Sequence, residues 1–202
     1  MISLGAIYVH NVQYRYTTFI DCLYSGRIKL MEKDLIDGCI LGNIQLVRRA
    51  LTSKHINVNI KNNDGYTVLY LACRENNDDI VKLLIESNAD VDISHDIDGD
   101  TPLIIACSEG YFKIVEYLLQ AILSSSSILS SKYKASINHL NKNGWTPLIY
   151  ACYYGHYNVV KLLIDYHVDI NMKSHYGNTA LYRSCNAGRY EVIELLLKAG
   201  KK

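Results

Sequence analysis

The sequence predicts an all-α repeat solenoid: stacked helix-turn-helix units joined by short β-hairpin connections. Three observations lead there. Four near-copies of one segment run Asp64-Gly65-Tyr66-Thr67-Val68-Leu69, Asp98-Gly99-Asp100-Thr101-Pro102-Leu103, Asn143-Gly144-Trp145-Thr146-Pro147-Leu148 and Tyr176-Gly177-Asn178-Thr179-Ala180-Leu181. Counted from threonine to threonine, the steps are 34, 45 and 33 residues, and a near-constant period of that size marks stacked repeats. Each copy also carries the same punctuation. A turn with Gly leads to a Thr suited to capping a helix, with Pro at the first helical position in two copies. An apolar run of helical spacing follows, such as Val159-Val160-Lys161-Leu162-Leu163-Ile164. One such unit cannot bury its own apolar face, so it needs neighbours of its kind.

These residues resemble the ankyrin repeat. The family pattern is a turn ending in Gly-x-Thr-Pro-Leu, a small pair, a loop glycine, an apolar second helix and a closing Gly-Ala-Asp-Val-Asn. The resemblance covers residues 34–202 as about five repeats including caps, with residues 1–33 left as an N-terminal extension of unassigned order. It implies stacked repeats that hold a protein or peptide.

Taken in order, Asp34 to Lys61 is a degenerate first repeat. Gly38-Cys39 stands at the small pair and Gly42 at the loop glycine, while Arg48 and Arg49 suit a polar capping face. Repeat two replaces the proline by Val68 and the loop glycine by Asn76, a residue that tolerates the left-handed conformation. Repeat three is followed by an insertion near 121–136. There Ile122 and Leu123 are expected to lengthen the second helix, and the serine run to form a flexible loop. Repeat four is the best formed, although His167-Val168 replaces the family's Gly-Ala. Repeat five ends at Gly200, expected to close its helix as a left-handed residue, with Lys201 and Lys202 favouring the negative helix end.

Composition removes several classes. Lys and Arg number 21 against 20 Asp and Glu, for a net charge of +1, so no basic excess calls for nucleic acid. No apolar run approaches the length of a membrane span, and the first residues lack the basic flank of a signal peptide. Five of six cysteines (Cys39, Cys73, Cys107, Cys152 and Cys185) share one repeat position, which in the family is buried. Equivalent positions about 10 Å apart are too distant for disulfides. Packing in a reducing compartment, the cytoplasm, is therefore expected, with nucleus and host cytosol compatible.

No nucleophile elbow, zinc-helix motif or phosphate-binding glycine loop occurs, so no enzyme is expected. Asp90, Asp92, Asp96, Asp98 and Asp100 suggest a calcium loop, but aligning Gly99 with the EF-hand glycine puts Ile105 where the bidentate Glu belongs. The acidic turn is read as a solvated hairpin. His139, His156, His167 and His175 share no ligand spacing on one helix. His156 matches the family's structural histidine beside the loop glycine. Cofactors and metals are accordingly set at none.

What remains is surface. The family's partner-binding positions are the hairpin tips and the exposed side of each first helix. By register these are Tyr66, Arg74 and Glu75 in repeat two, and Asp100, Ser108 and Glu109 in repeat three. Repeat four offers Lys142, Trp145, Tyr153 and Tyr154, and repeat five His175, Tyr176, Asn178 and Asn186. The single Trp falls on a hairpin tip and is expected to be exposed beside Tyr153, Tyr154 and Tyr176, as aromatic interface anchors are. The expected function is a non-catalytic protein–protein interaction module, monomeric by default. The alternatives are the substrate-recognition adaptor of a larger complex, such as a ubiquitin ligase, and a host-directed effector.

Overall fold

The computed structural model describes residues 26–53, 55–125 and 136–200. Residues 26–41 are helical, so the first helix begins upstream of Asp34. Ile44–Leu51 completes the first repeat. The four later repeats pair Val68–Arg74 with Asp78–Glu86, Pro102–Glu109 with Phe112–Ser125, Pro147–Tyr154 with Tyr157–Asp165, and Ala180–Asn186 with Tyr190–Ala199. First helices pack on first helices and second on second, giving two layers.

The local chemistry sets each first helix. The Oγ1 atoms of Thr67, Thr101, Thr146 and Thr179 accept from the amides of Tyr70, Ile104, Ile149 and Tyr182 at 3.1, 3.3, 3.1 and 3.3 Å. Each such cap contributes about 1 kcal/mol. Pro102 and Pro147 stand in the first helical turn. The helices then stop on left-handed residues, Gly110 (φ 75), Gly155 (φ 85) and, in repeat two, Asn76 (φ 56). Gly200 departs from expectation. Its φ is −71, because its amide keeps the helical bond to Leu196 O at 3.0 Å and the backbone does not turn over.

The core lies between the layers. Leu84, Leu118 and Leu163, one from each of three successive second helices, are fully buried, each burial stabilising by about 1.5–3 kcal/mol. Ile122 is buried in a second helix that runs on to Ser125, as the apolar pair there predicts. The serine run lies outside the described residues. Cys39, Cys73, Cys107 and Cys152 are buried and free, and burial pushes the Cys39 thiol up to about 12. Cys185 is a correction: it is exposed, since no described element packs on that side of the last repeat. Tyr182, at a position where Ile149 and Ile104 are buried, is 55% exposed for the same reason. Under native conditions, iodoacetamide followed by peptide mapping should modify Cys185 and spare the four buried thiols until the chain unfolds.

The connections are tight turns, not hairpins of paired strands. Among the described residues no strand forms, and the one isolated bridge pairs Lys61 with Thr67. It sits where Val68 replaces proline. The Val68 amide donates to Ile60 O at 3.2 Å, a bond that Pro102 and Pro147 have no N–H to make. Turns close from Asn62 N to Tyr66 O, Asn141 N to Trp145 O and Ser174 N to Asn178 O. In repeat three the closure runs from His95 N to Asp100 O. That turn is one residue longer, which explains a step of 34 where the next uninterrupted step is 33.

Candidate partner-binding face

Successive turns are bonded to one another. His95 Nε2 donates to Asp64 O at 2.9 Å and His139 Nε2 to Gly99 O at 3.0 Å. Lys142 N donates to Asp98 O at 2.8 Å. In repeats two, four and five the residue after the loop glycine or its substitute reaches back a repeat: Asn77 Nδ2 to Cys39 O, His156 Nε2 to Ser108 O and Arg189 Nε to Tyr153 O, at 3.2, 2.8 and 3.0 Å. His156 therefore has the structural part expected of it. Asp96 pairs with Lys61, and Asp98 Oδ1 lies 2.8 Å from His95 Nδ1, off the line of a hydrogen bond. Among the described residues no group of three metal-ligating side chains gathers.

The residue before each capping Thr and the residue seven after it hold matching register positions, and in repeats two and four the two side chains meet. In repeat four this pair is Trp145 and Tyr153, ring centroids 5.4 Å apart at 73°. In repeat two it is Tyr66 with Arg74, whose guanidinium lies 5.3 Å from the ring centroid. In repeat three it is Asp100 and Ser108, and in repeat five Asn178 and Asn186.

Trp145 corrects the expectation of an exposed indole. It is half-buried, packed on Tyr150 at 4.7 Å and covered by Arg183, 4.5 Å from its ring centroid. Desolvated, such a cation–π contact is worth about 2 kcal/mol. The Arg183 Nε has no acceptor among the described residues. Tyr154 touches Tyr153 at 5.1 Å and Tyr150 at 6.5 Å. Tyr176 does not join this group; it stands 77% exposed, and no described ring contact involves it. A second group stacks Tyr66 on His95 at 3.8 Å and on Tyr70 at 4.8 Å. Glu75, Glu109, Lys142, His175 and Asn186 are exposed.

Asp100 corrects the reading of the acidic turn as simply solvated. Burial raises its carboxyl above the usual value, and the Asn141 hydrogen bond opposes that rise. Asn141 Nδ2 donates to Asp100 Oδ1 at 2.7 Å and to the Tyr150 hydroxyl at 3.1 Å. Burial lifts the phenols of Tyr70 and Tyr150, and the charge of Asp100 lifts them further. Asp100 thus sits between the two aromatic groups.

Residues 35–130 and 122–202 match the family described as ankyrin repeats (3 copies). The chain belongs to the ankyrin repeat family. It is similar to a Candida albicans protein named glycerophosphocholine phosphodiesterase GDE1, 34% identical over 107 residues, 52% of this chain and 8% of that protein. The mouse ankyrin repeat and SAM domain-containing protein 6 is 35% identical over 105 residues, 50% of this chain and 12% of its own. The mouse protein phosphatase 1 regulatory subunit 27 is 35% identical over 84 residues, 42% of this chain and 54% of its own. The chain spans only a small part of the first two relatives, so the likeness lies in repeats and not in whole proteins. No described helix is long and apolar enough to cross a membrane.

Ankyrin repeats generally mediate protein–protein interaction. Sequence reading missed Tyr150, Arg183 and Asn141. Asn141 had a readable signal: Asn62, Asn141 and Ser174 all stand five residues before the capping Thr.

Proposed function

We propose that this chain is a non-catalytic binding module. In this reading a protein or extended peptide is held on the concave face formed by the turns and first helices. One observation carries the proposal: Trp145 on its turn and Tyr150, Tyr153 and Tyr154 on the helix that follows form one connected aromatic group, and that turn is bonded to its neighbour. Rigid display loses little entropy on binding, and aromatic anchors supply most of the energy in interfaces. Arg183 is part of the anchor, since it holds the indole in place. The working unit is the repeat array, expected from residue 34 to 202 and extended upstream by the first helix, which runs from residue 26, with a monomer as the functional state. Four free buried thiols support a reducing, cytoplasmic setting.

A pull-down comparing wild type with a Trp145→Ala/Tyr153→Ala variant of unchanged helical circular dichroism tests the proposal. The wild type should capture a partner that the variant loses, with affinity down by about 2 kcal/mol or more. Equal capture by both would place binding elsewhere.

A further inference from the structure

We propose that the partner presents one basic side chain, Lys or Arg, to the notch at Asp100 and Ser108, between the two aromatic groups. This inference rests on the concave-face reading above and gives its partner a chemistry.

The notch follows from the register. Along the concave face the residues preceding the capping threonines run Tyr66, Asp100, Trp145 and Asn178. In repeats two and four the facing position holds a large side chain, Arg74 over Tyr66 and Tyr153 against Trp145. In repeat three it holds Ser108, whose hydroxyl turns back to donate to Ile105 O at 3.0 Å. No described ring or cation contact reaches Asp100 from that position. The register thus sets a small side chain opposite a carboxylate, with an aromatic group in the repeat on either side.

Its charge favours a cation. The basic residues around it are engaged: Arg74 pairs with Glu75 at 3.0 Å, Lys61 with Asp96, and Arg183 covers Trp145. Lys142 Nζ donates to Asp96 O. Asp100 is half-buried, accepts one described side-chain hydrogen bond, and like the exposed Glu109 enters no ion pair among the described residues. A desolvated carboxylate without a cation is unfavourable, so a partner ammonium or guanidinium gains there what a neutral side chain does not. Charge complementarity of this kind sets register and specificity.

The test is a selection of random twelve-residue peptides displayed on phage, run in parallel on four forms of the full chain. These are wild type, Asp100→Asn, Ser108→Tyr and Trp145→Ala/Tyr153→Ala. Wild-type binders should carry Lys or Arg at one recurrent position, and that enrichment should vanish on Asp100→Asn. A selected peptide made synthetically should bind Asp100→Asn at least tenfold more weakly. Replacing its basic residue by Ala should remove the difference between the two forms. Ser108→Tyr fills the notch without changing charge and should produce the same loss, which decides the matter if Asp100→Asn does not fold. Binders without a recurrent basic residue, basic enrichment unchanged on Asp100→Asn, or no enrichment at all would overturn the inference. Binders that lack the basic residue yet depend on Trp145 and Tyr153 overturn this inference alone. Binders indifferent to all three variants overturn the concave-face reading with it.

Discussion

Gly144→Ala is expected to destabilise the chain by more than about 3 kcal/mol, while Gly177→Ala costs only about 1 kcal/mol. The two glycines occupy the same turn position in successive repeats with nearly the same backbone, φ 72 and φ 76. A left-handed residue with a Cβ costs roughly 1–2 kcal/mol wherever it stands, so both variants carry that penalty. They differ in what the Cβ meets. At Gly144 it would lie 2.3 Å from the backbone nitrogen of His175, and at Gly177 nothing stands within 4 Å. A backbone atom cannot swing aside as a side chain can. The turn of repeat five must move as a whole, which opens the seam between repeats four and five. Repeat arrays behave as sums of units and nearest-neighbour interfaces. Urea denaturation of Gly144→Ala should therefore show an early transition from repeat five as well as a lower overall midpoint. Equal losses for the two variants would mean that the seam is soft and only backbone strain matters.

That contrast also marks where the sequence is legible. Thr-Pro caps, glycine punctuation and the buried cysteine position follow from local rules, and the helices form where those rules place them. Asn76 turns left-handed because it stands where other repeats have glycine. The aromatic groups are a different matter. Tyr70 stands three residues after its capping Thr and Tyr150 four, about 100° apart around the helix, so equivalent repeats aim tyrosine differently. Arg183 occupies in repeat five the position of Tyr150 in repeat four, and only stacking brings it over the preceding repeat's Trp145. The indole is half-buried for that reason, which no reading of repeat four alone shows. The extra residue in the third turn is visible in the spacing of 34 against 33. Its consequence is not: His95 replaces the recurrent Asn and stacks on Tyr66.

Asn141→Ala should cost about 3 kcal/mol at neutral pH, and less at pH 4. The side chain is a buried hub. Its Oδ1 accepts from the amides of Asn143 and Trp145 at 3.0 and 2.9 Å, and its Nδ2 donates to Asp100 and Tyr150. Each net bond contributes about 0.5–1.5 kcal/mol, and bonds to charged groups more. The largest share belongs to Asp100, whose half-buried carboxylate loses its side-chain donor. The pH dependence follows from that group. Burial already raises the folded-state value of Asp100 above 3.8. Its ionisation therefore disfavours the fold, and stability falls as pH rises through the folded value. Without Asn141 that value climbs further, because the bond favoured the charged form. As pH falls, the variant's carboxyl takes up its proton before the wild type's does and then needs no donor, so the deficit against wild type shrinks. Urea midpoints at pH 4 and pH 7 measure this. A deficit of the same size at both values would mean that the Asp100 bond contributes nothing to stability and that Asn141 acts only by closing the turn beneath Trp145.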